Sequence, residues 1–263
     1  MDTLNKRSLA LVARLGYAAR GTVYVLIGGL ALLAMISGAG GKTTGSKGAL
    51  SALSDASWGT AVIVLIAVGL VAFSGWRAVQ AVLDTDDHGT SFKGLVIRVS
   101  LAVSGITHLL LGVYAASLAM NMSSDSGGSG SQDAAALILQ QPFGRYVLGC
   151  VALIFMGAAL AHMWKGASGG FRERLSMPKS LLDRLSPLCG FGLIARGLIF
   201  LVIAGFFFYA AFTIDPDQAG GLENAMHWLR DQPYGIAFYA AAAAGLLAFG
   251  LYGYIEARWR KVG

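Results

Sequence analysis

The feature that most constrains the fold is a set of six apolar segments, each about as long as the 20 residues that a membrane-spanning helix needs. They cover approximately residues 15–36, 59–81, 99–120, 144–164, 191–213 and 235–256. The 263 residues are 56% apolar and 13% charged, whereas soluble domains are about 25% charged. This composition excludes intrinsic disorder, a disulfide scaffold and a soluble enzyme of ordinary type. The sequence therefore predicts an all-α transmembrane protein.

The basic residues are divided unequally between the two sides of the predicted spans. One side carries Lys6, Arg7, Arg14, Arg77, Lys93, Arg98, Lys165, Arg172, Arg174, Lys179, Arg184, Arg258, Arg260 and Lys261, and the other carries Lys42, Lys47, Arg145 and Arg230. Positively charged loops remain in the cytoplasm, so we expect both termini there, in the cytoplasmic (inner) membrane. Residues 166–188 are predicted as the longest cytoplasmic connection, and residues 121–131 as a flexible outer loop.

Two short motifs recur three times along the chain. Alternate spans contain Ala19-Arg20-Gly21, Val103-Ser104-Gly105 and Ala195-Arg196-Gly197, and the returning spans open with Trp58-Gly59, Phe143-Gly144 and Tyr234-Gly235. Each unit consists of a helix, an outer loop that ends in a short amphipathic stretch, an aromatic–glycine junction and a returning helix. We place the repeats at approximately 9–84, 93–166 and 185–260, within one membrane domain.

Each repeat starts and ends on the same side of the membrane, so the three repeats are parallel. We therefore expect a six-helix bundle with pseudo-threefold symmetry along the membrane normal, unlike the inverted repeats of many transporters. Trp58, Phe143 and Tyr234 are expected at the outer membrane interface, where aromatic residues are enriched.

These motifs resemble the bacterial membrane family labelled domain of unknown function 1206. The resemblance covers about residues 9–260, and the middle copy departs from it with Ser104 where the other two copies have arginine. It implies a bacterial cytoplasmic membrane protein with this architecture, and it implies no activity.

Ionisable residues inside a membrane are the main functional candidates, because burying them is costly. Arg20 and Arg196 occupy equivalent positions in the first and third repeats, where each is either an interfacial anchor or helix-packing ion pair, or part of a site for an anion or lipid headgroup. Glu256 is the only carboxylate at a similar depth. We predict that Glu256 pairs with Arg196, because both belong to the third repeat.

One helical turn beyond these arginines lies a second set of candidates. Tyr24 and His108 follow Arg20 and Ser104 by four residues and therefore share their helix faces. If these faces point to the symmetry axis, the residues line a polar lumen. If they point to a neighbouring helix, the same residues are packing contacts.

No cofactor, metal or catalytic residue is predicted. A haem held by His108 and His162 is disfavoured, because their positions along the spans suggest depths that differ by about 14 Å at 1.5 Å per residue. Asp84, Asp86, Asp87 and His88 form an acidic turn that offers at most a weak divalent-cation site. The chain lacks the short signatures of serine hydrolases, zinc proteases, nucleotide-binding loops and dinucleotide-binding folds.

Two functions remain open. The first is a non-catalytic accessory or structural membrane protein that binds lipid, through anionic headgroups at the cytoplasmic face, or a partner membrane protein. The second is a small channel or transporter that uses the polar cluster. We favour the first, because only one acidic residue lies at membrane depth. Nucleic acid is not an expected partner, since no soluble domain remains to bind it.

Overall fold

A computed structural model describes residues 3–36, 50, 51, 53, 59–120 and 130–261. The helices in these ranges are α1 (Thr3–Ile36), α2 (Gly59–Leu83), α3 (Phe92–Ala119), α4 (Gly130–Leu139), α5 (Gly144–Ser168), α6 (Lys179–Thr213), α7 (Leu222–Arg230) and α8 (Gly235–Trp259). Two 3-10 turns lie at Arg172–Arg174 and Pro216–Gln218. No strand occurs within the described ranges, and the predicted all-α class is confirmed.

Six of these helices are long and apolar enough to cross a membrane: α1, α2, α3, α5, α6 and α8. They coincide with the six predicted spans, so the chain is a multi-pass membrane protein. We call the face at which α1 begins and α8 ends the terminal face, and the other the opposite face.

The connection predicted over residues 166–188 is shorter than expected. Helix α5 continues to Ser168 and α6 already begins at Lys179, so Pro187 lies inside a helix. Pro187, the ninth residue of α6, removes one hydrogen bond and crowds the carbonyl of residue i−4, and the turns on either side of it keep the helix continuous. The predicted bounds of this connection are therefore wrong, since charge and proline do not prevent the segment after Lys179 from forming helix.

The aromatic–glycine motif has a geometric cause. Phe143 and Tyr234 precede their helices in the left-handed region, with φ of 64° and 62°. A Cβ at Gly144 or Gly235 would meet the carbonyl oxygen of Ile138 or Arg230, so only glycine fits after each aromatic residue. The two aromatic rings are exposed at the opposite face, after the short helices α4 and α7. Trp58 and the loop at 121–129 lie outside the described residues.

Neighbouring repeats pack through equivalent contacts. The returning helix of one repeat lies against the first helix of the next, so that α2 packs on α3, α5 on α6 and, around the ring, α8 on α1. At the motif glycines Gly21, Gly105 and Gly197, an added Cβ would meet the carbonyl oxygens of Gly250, Ser74 and Ala159 respectively. These partners are equivalent positions in the three repeats, so the helix register is the same at every interface.

Contacts within the repeats are unequal. Helices α1 and α2 pack together, as do α6 and α8, whereas α3 and α5 of the middle repeat make almost no contact. The helices therefore form an open ring in the order α3, α2, α1, α8, α6, α5. Only 17% of the most apolar stretch of α3 and of α5 is buried, against 39–56% in the other four helices. We call this opening the α3/α5 gap.

Candidate functional site

Glu256, near the end of α8, is held between two arginines. Its Oε2 accepts a hydrogen bond from Nη2 of Arg20 at 2.5 Å, and its Oε1 accepts one from Nη1 of Arg260 at 2.6 Å. Arg20 and Glu256 are only 5% and 3% exposed. The predicted Arg196–Glu256 pair is therefore wrong. The returning helix α8 lies closest to the first helix of the first repeat, which brings Arg20 rather than Arg196 to the carboxylate.

Arg196 of α6 is enclosed by aromatic rings instead of a carboxylate. Its guanidinium carbon lies 4.6, 4.5 and 4.4 Å from the ring centroids of Tyr24, Phe200 and Phe249. The residue is 7% exposed, and its Nε and Nη1 atoms are buried without a hydrogen-bond partner in the described part of the chain. Cation–π contacts stabilise the charge but leave these donors unsatisfied. Arg196 thus offers buried N–H groups to an anion.

The other predicted residues belong, with Arg20 and Arg196, to one layer of cationic and aromatic side chains. The Tyr24 ring lies edge-on to Phe249 at 5.0 Å, and the Arg20 guanidinium lies 5.0 Å from the Phe249 centroid. His108 of α3 packs against Phe73 at 4.7 Å. Ser104 contributes its backbone carbonyl, which accepts a hydrogen bond from Nδ1 of His108 at 2.7 Å. Stacked cations and aromatic rings therefore follow the ring of helices.

Sequence reasoning missed three members of this layer: Phe73, Phe249 and His162. Phe73 and Phe249 occupy equivalent positions in α2 and α8, and Arg20 lies over both rings, at 5.1 and 5.0 Å. Alignment of the returning helices beyond their junction glycines would have revealed this pair of phenylalanines.

His162 of α5 is the last member of this layer. Its ring lies 5.7 Å from Phe200 and 6.2 Å from Phe249, and its Nδ1 donates to the carbonyl of Ala158 at 2.8 Å. The predicted separation in depth between His108 and His162 is therefore wrong, since both rings contact the layer around Arg20 and Arg196.

Helix α5, one of the two helices beside the α3/α5 gap, borders Arg196. The His162 ring of α5 lies 5.7 Å from the Phe200 ring, which lies 4.5 Å from the Arg196 guanidinium carbon. The unsatisfied guanidinium therefore lies near one of the two helices that leave the ring open.

A network of ion pairs at the terminal face joins the α2–α3 connection, the α5–α6 connection and the residues that follow α8. Asp86, between α2 and α3, accepts hydrogen bonds from Arg174 at 2.8 Å, from Gln80 at 2.7 Å and from Arg260 at 3.5 Å. The backbone strengthens this connection, because Lys261 N–H donates to the carbonyl of Arg174 at 3.0 Å. The residues that follow α8 are therefore hydrogen-bonded to the α5–α6 connection.

The acidic segment after α2 forms a turn. Asp84 adopts a left-handed conformation with φ of 50°, and its carboxylate accepts hydrogen bonds from the backbone N–H groups of His88 and Gly89 at 2.9 and 2.7 Å. The bond from His88, together with that from Gly89, lowers the pKa of Asp84. The carboxylates of Asp84 and Asp86 are thus engaged by backbone amides and cationic side chains, as expected of an acidic turn rather than a metal site.

The fold and this layer define a class: a multi-pass membrane protein built from three tandem two-helix repeats, with stacked cations and aromatic rings between its helices. The family described as Domain of Unknown Function (DUF1206) matches residues 15–84, 99–169 and 191–260. The chain belongs to this family.

One curated relative covers almost the whole chain. It is the "Uncharacterized protein YxxB" of Bacillus subtilis (strain 168), which is 31% identical over 256 residues, 94% of this chain and 92% of the relative. No solved structure matches the chain. Neither the family description nor the relative's name assigns a catalytic activity.

Proposed function

We propose that this protein is a non-catalytic membrane protein that binds the anionic headgroup of a membrane lipid at Arg196. The observation that carries the proposal is the state of this guanidinium, which is 7% exposed and has Nε and Nη1 without partners in the described residues. A buried donor left unsatisfied costs about 1–3 kcal/mol, and more when it is charged. A phosphate or carboxylate oxygen would remove this cost.

The α3/α5 gap supplies the route for a lipid. An amphiphile whose head reaches Arg196 must place its acyl chains between helices or against them. The two helices beside the gap present large apolar side chains, among them Leu109, Leu110 and Val113 on α3 and Leu153 and Leu160 on α5. Lateral entry from the bilayer therefore requires no aqueous path.

The region between α1, α6 and α8 favours lipid binding over a channel or transporter. Tyr24 and Phe249 lie in edge-to-face contact at 5.0 Å, and the guanidinium groups of Arg20 and Arg196 lie over the same Phe249 ring at 5.0 and 4.4 Å. Side chains thus occupy the space that a hydrated path among these three helices would need.

The test compares Arg196→Gln with Arg258→Gln in purified protein. Arg258 is exposed near the end of α8, so its replacement removes the same charge without touching the site. Binding of phosphatidylglycerol and of phosphatidylcholine is measured by native mass spectrometry and by the shift in Tm. We expect Arg196→Gln to weaken phosphatidylglycerol binding about tenfold or more, since a charged hydrogen bond contributes about 1.5–3 kcal/mol.

The lipid-free Arg196→Gln protein should be at least as stable as the wild type, because the substitution removes a buried charge without an ionic partner. Arg258→Gln should bind phosphatidylglycerol as the wild type does. Equal binding by Arg196→Gln and wild type, or no preference of the wild type for the anionic lipid, would refute the proposal.

A further inference from the structure

The repeats place three different side chains at one equivalent position. Gln80, Lys165 and Glu256 each follow their junction glycine by the same number of residues in α2, α5 and α8. Because the three interfaces share one register, each faces the first helix of the next repeat at the level of Ser104, Arg196 and Arg20 respectively.

The chemistry differs among these three interfaces. Between α8 and α1, Glu256 neutralises Arg20 through a direct ion pair at 2.5 Å. Between α2 and α3, the residues Gln80 and Ser104 are both neutral. Between α5 and α6, Lys165 has the position of Glu256 and Arg196 has the position of Arg20, so that a cation stands where the first interface has its carboxylate.

Lys165 and Arg196 are connected through the contact between His162 and Phe200. The Phe200 ring lies 4.5 Å from the Arg196 guanidinium carbon and 5.7 Å from the ring of His162, which precedes Lys165 by three residues on α5. Next to Lys165, Gly166 packs closely on α6, where an added Cβ would meet the carbonyl oxygen of Gly190 and the side chain of Leu193. Neither Lys165 nor Arg196 has an ion pair with a carboxylate among the described residues. Two cations that share a poorly solvated region repel one another unless an anion lies between them.

We infer that Lys165 and Arg196 together form an anion site, in which a ligand's phosphate or carboxylate takes the place that the Glu256 carboxylate takes beside Arg20. This inference rests on the proposed function, because it assigns a second binding residue and a ligand class to the same site. The ligand is an amphiphile with an anionic oxygen group, supplied either by a phospholipid or by a fatty acid.

The decisive variant is Lys165→Glu, which copies the α8/α1 interface into the α5/α6 interface. Its carboxylate should pair with Arg196, raise the Tm of the lipid-free protein and exclude the anionic ligand. The rise in Tm should depend on Arg196, so the double variant Lys165→Glu/Arg196→Gln should lose it. The matched control is Lys165→Gln, which copies the neutral Gln80 and should bind about tenfold more weakly with no gain in Tm.

The probes are phosphatidylglycerol, oleate and inorganic phosphate, each added to the purified full-length chain. Stronger binding of phosphatidylglycerol identifies a phosphodiester ligand, and stronger binding of oleate identifies a carboxylate. Equal binding of inorganic phosphate would show that no acyl chain is recognised, and it would overturn the assignment of an amphiphile.

The outcomes separate this inference from the proposed function. If Arg196→Gln loses lipid while Lys165→Gln and Lys165→Glu bind as the wild type, the function stands and the two-cation site is refuted. If the wild type binds no anionic probe, both are refuted. If Lys165→Glu does not fold, the affinity of Lys165→Gln still decides, because wild-type affinity in that variant contradicts the site.

Discussion

At the scale of single residues, the two equivalent arginines have opposite surroundings. Arg20 donates to a carboxylate at 2.5 Å, whereas Arg196 is held by three aromatic rings. Removing one member of a buried ion pair costs about 3–5 kcal/mol, because the other charge remains buried without compensation. The same residue type at the same repeat position is therefore ion-paired in one case and, under the proposed function, binds a ligand in the other.

This difference predicts the result of a double-mutant cycle. Arg20→Leu and Glu256→Leu should each lower the Tm of the detergent-solubilised protein. Glu256→Leu should lower it more, since it leaves Arg20 without its carboxylate and Arg260 with only the longer contact to Asp86 at 3.5 Å. The double variant Arg20→Leu/Glu256→Leu should lose less than the sum of the two single losses.

The control for this cycle is Arg196→Leu combined with Glu256→Leu. Arg196 makes no ion pair with Glu256, so these two substitutions should couple more weakly than those of Arg20 and Glu256. Additive losses for Arg20 and Glu256, or strong coupling of Glu256 to Arg196, would contradict the described pair.

The candidate residues were predictable from the sequence, but their partners were not. Charge at membrane depth singled out Arg20, Arg196 and Glu256. The choice between the two arginines depended on which helix α8 packs against, and chain connectivity favoured the wrong one. Lys165 lies near the end of a span, so the sequence indicates only that it belongs to the basic face. Its equivalence to Glu256 becomes visible only when the returning helices are aligned.

At the scale of helices, close approach determines which glycines are essential. A Cβ at Gly28 of α1 would meet the backbone of Ala243 and Leu247 in α8, whereas a Cβ at the adjacent Gly29 would meet nothing within 4 Å. Small residues allow such contacts in membranes, where lipid provides no hydrophobic force between helices.

The pair Gly28→Ala and Gly29→Ala tests this contact. Gly28→Ala should separate α1 from α8 and lower stability by about 1–3 kcal/mol, the usual cost of overpacking. Gly29→Ala should leave stability unchanged or raise it, because alanine favours helix more than glycine does. The Tm values of the two variants in detergent test this expectation. Equal effects of the two substitutions would show that α1 and α8 do not approach closely at Gly28.

Helix positions were well predicted, because six apolar segments of membrane length leave few alternatives. Helix ends were predicted less well. The charged segment before Pro187 forms the first turns of α6, since backbone hydrogen bonding along the helix outweighs the single bond that proline removes. The aromatic–glycine junctions were recognised as a motif, but their left-handed geometry appears only in the structure.

At the scale of the whole molecule, the predicted bundle of three repeats is matched by equivalent interfaces, but the α3/α5 gap was not foreseeable. The mean hydropathies of α3 and α5, 1.8 and 2.0, lie within the range of 1.3 to 2.3 spanned by the other helices. Helix pairing depends on side-chain fit, which average hydropathy does not record.

Orientation in the membrane stays a prediction, and cysteine labelling tests it. In a background with Cys150→Ala and Cys189→Ala, the variants Thr90→Cys and Ser180→Cys place exposed thiols at the terminal face, and Gln141→Cys places one at the opposite face. The excess of Lys and Arg predicts that a membrane-impermeant maleimide labels only Gln141→Cys in intact cells. Labelling of the Ser180→Cys thiol from outside would reverse the orientation.

The pairing of α1 with α8 has a consequence for the order of events during synthesis. Gly21 and Gly250, which meet at this interface, are separated by nearly the whole chain. At about 5–20 residues per second, the ribosome needs roughly 10 to 50 s to make the intervening segment. Throughout that interval Arg20 is already made while its carboxylate does not yet exist. The newly inserted N-terminal helix must therefore be protected by lipid headgroups, water or the insertion machinery until the last helix arrives.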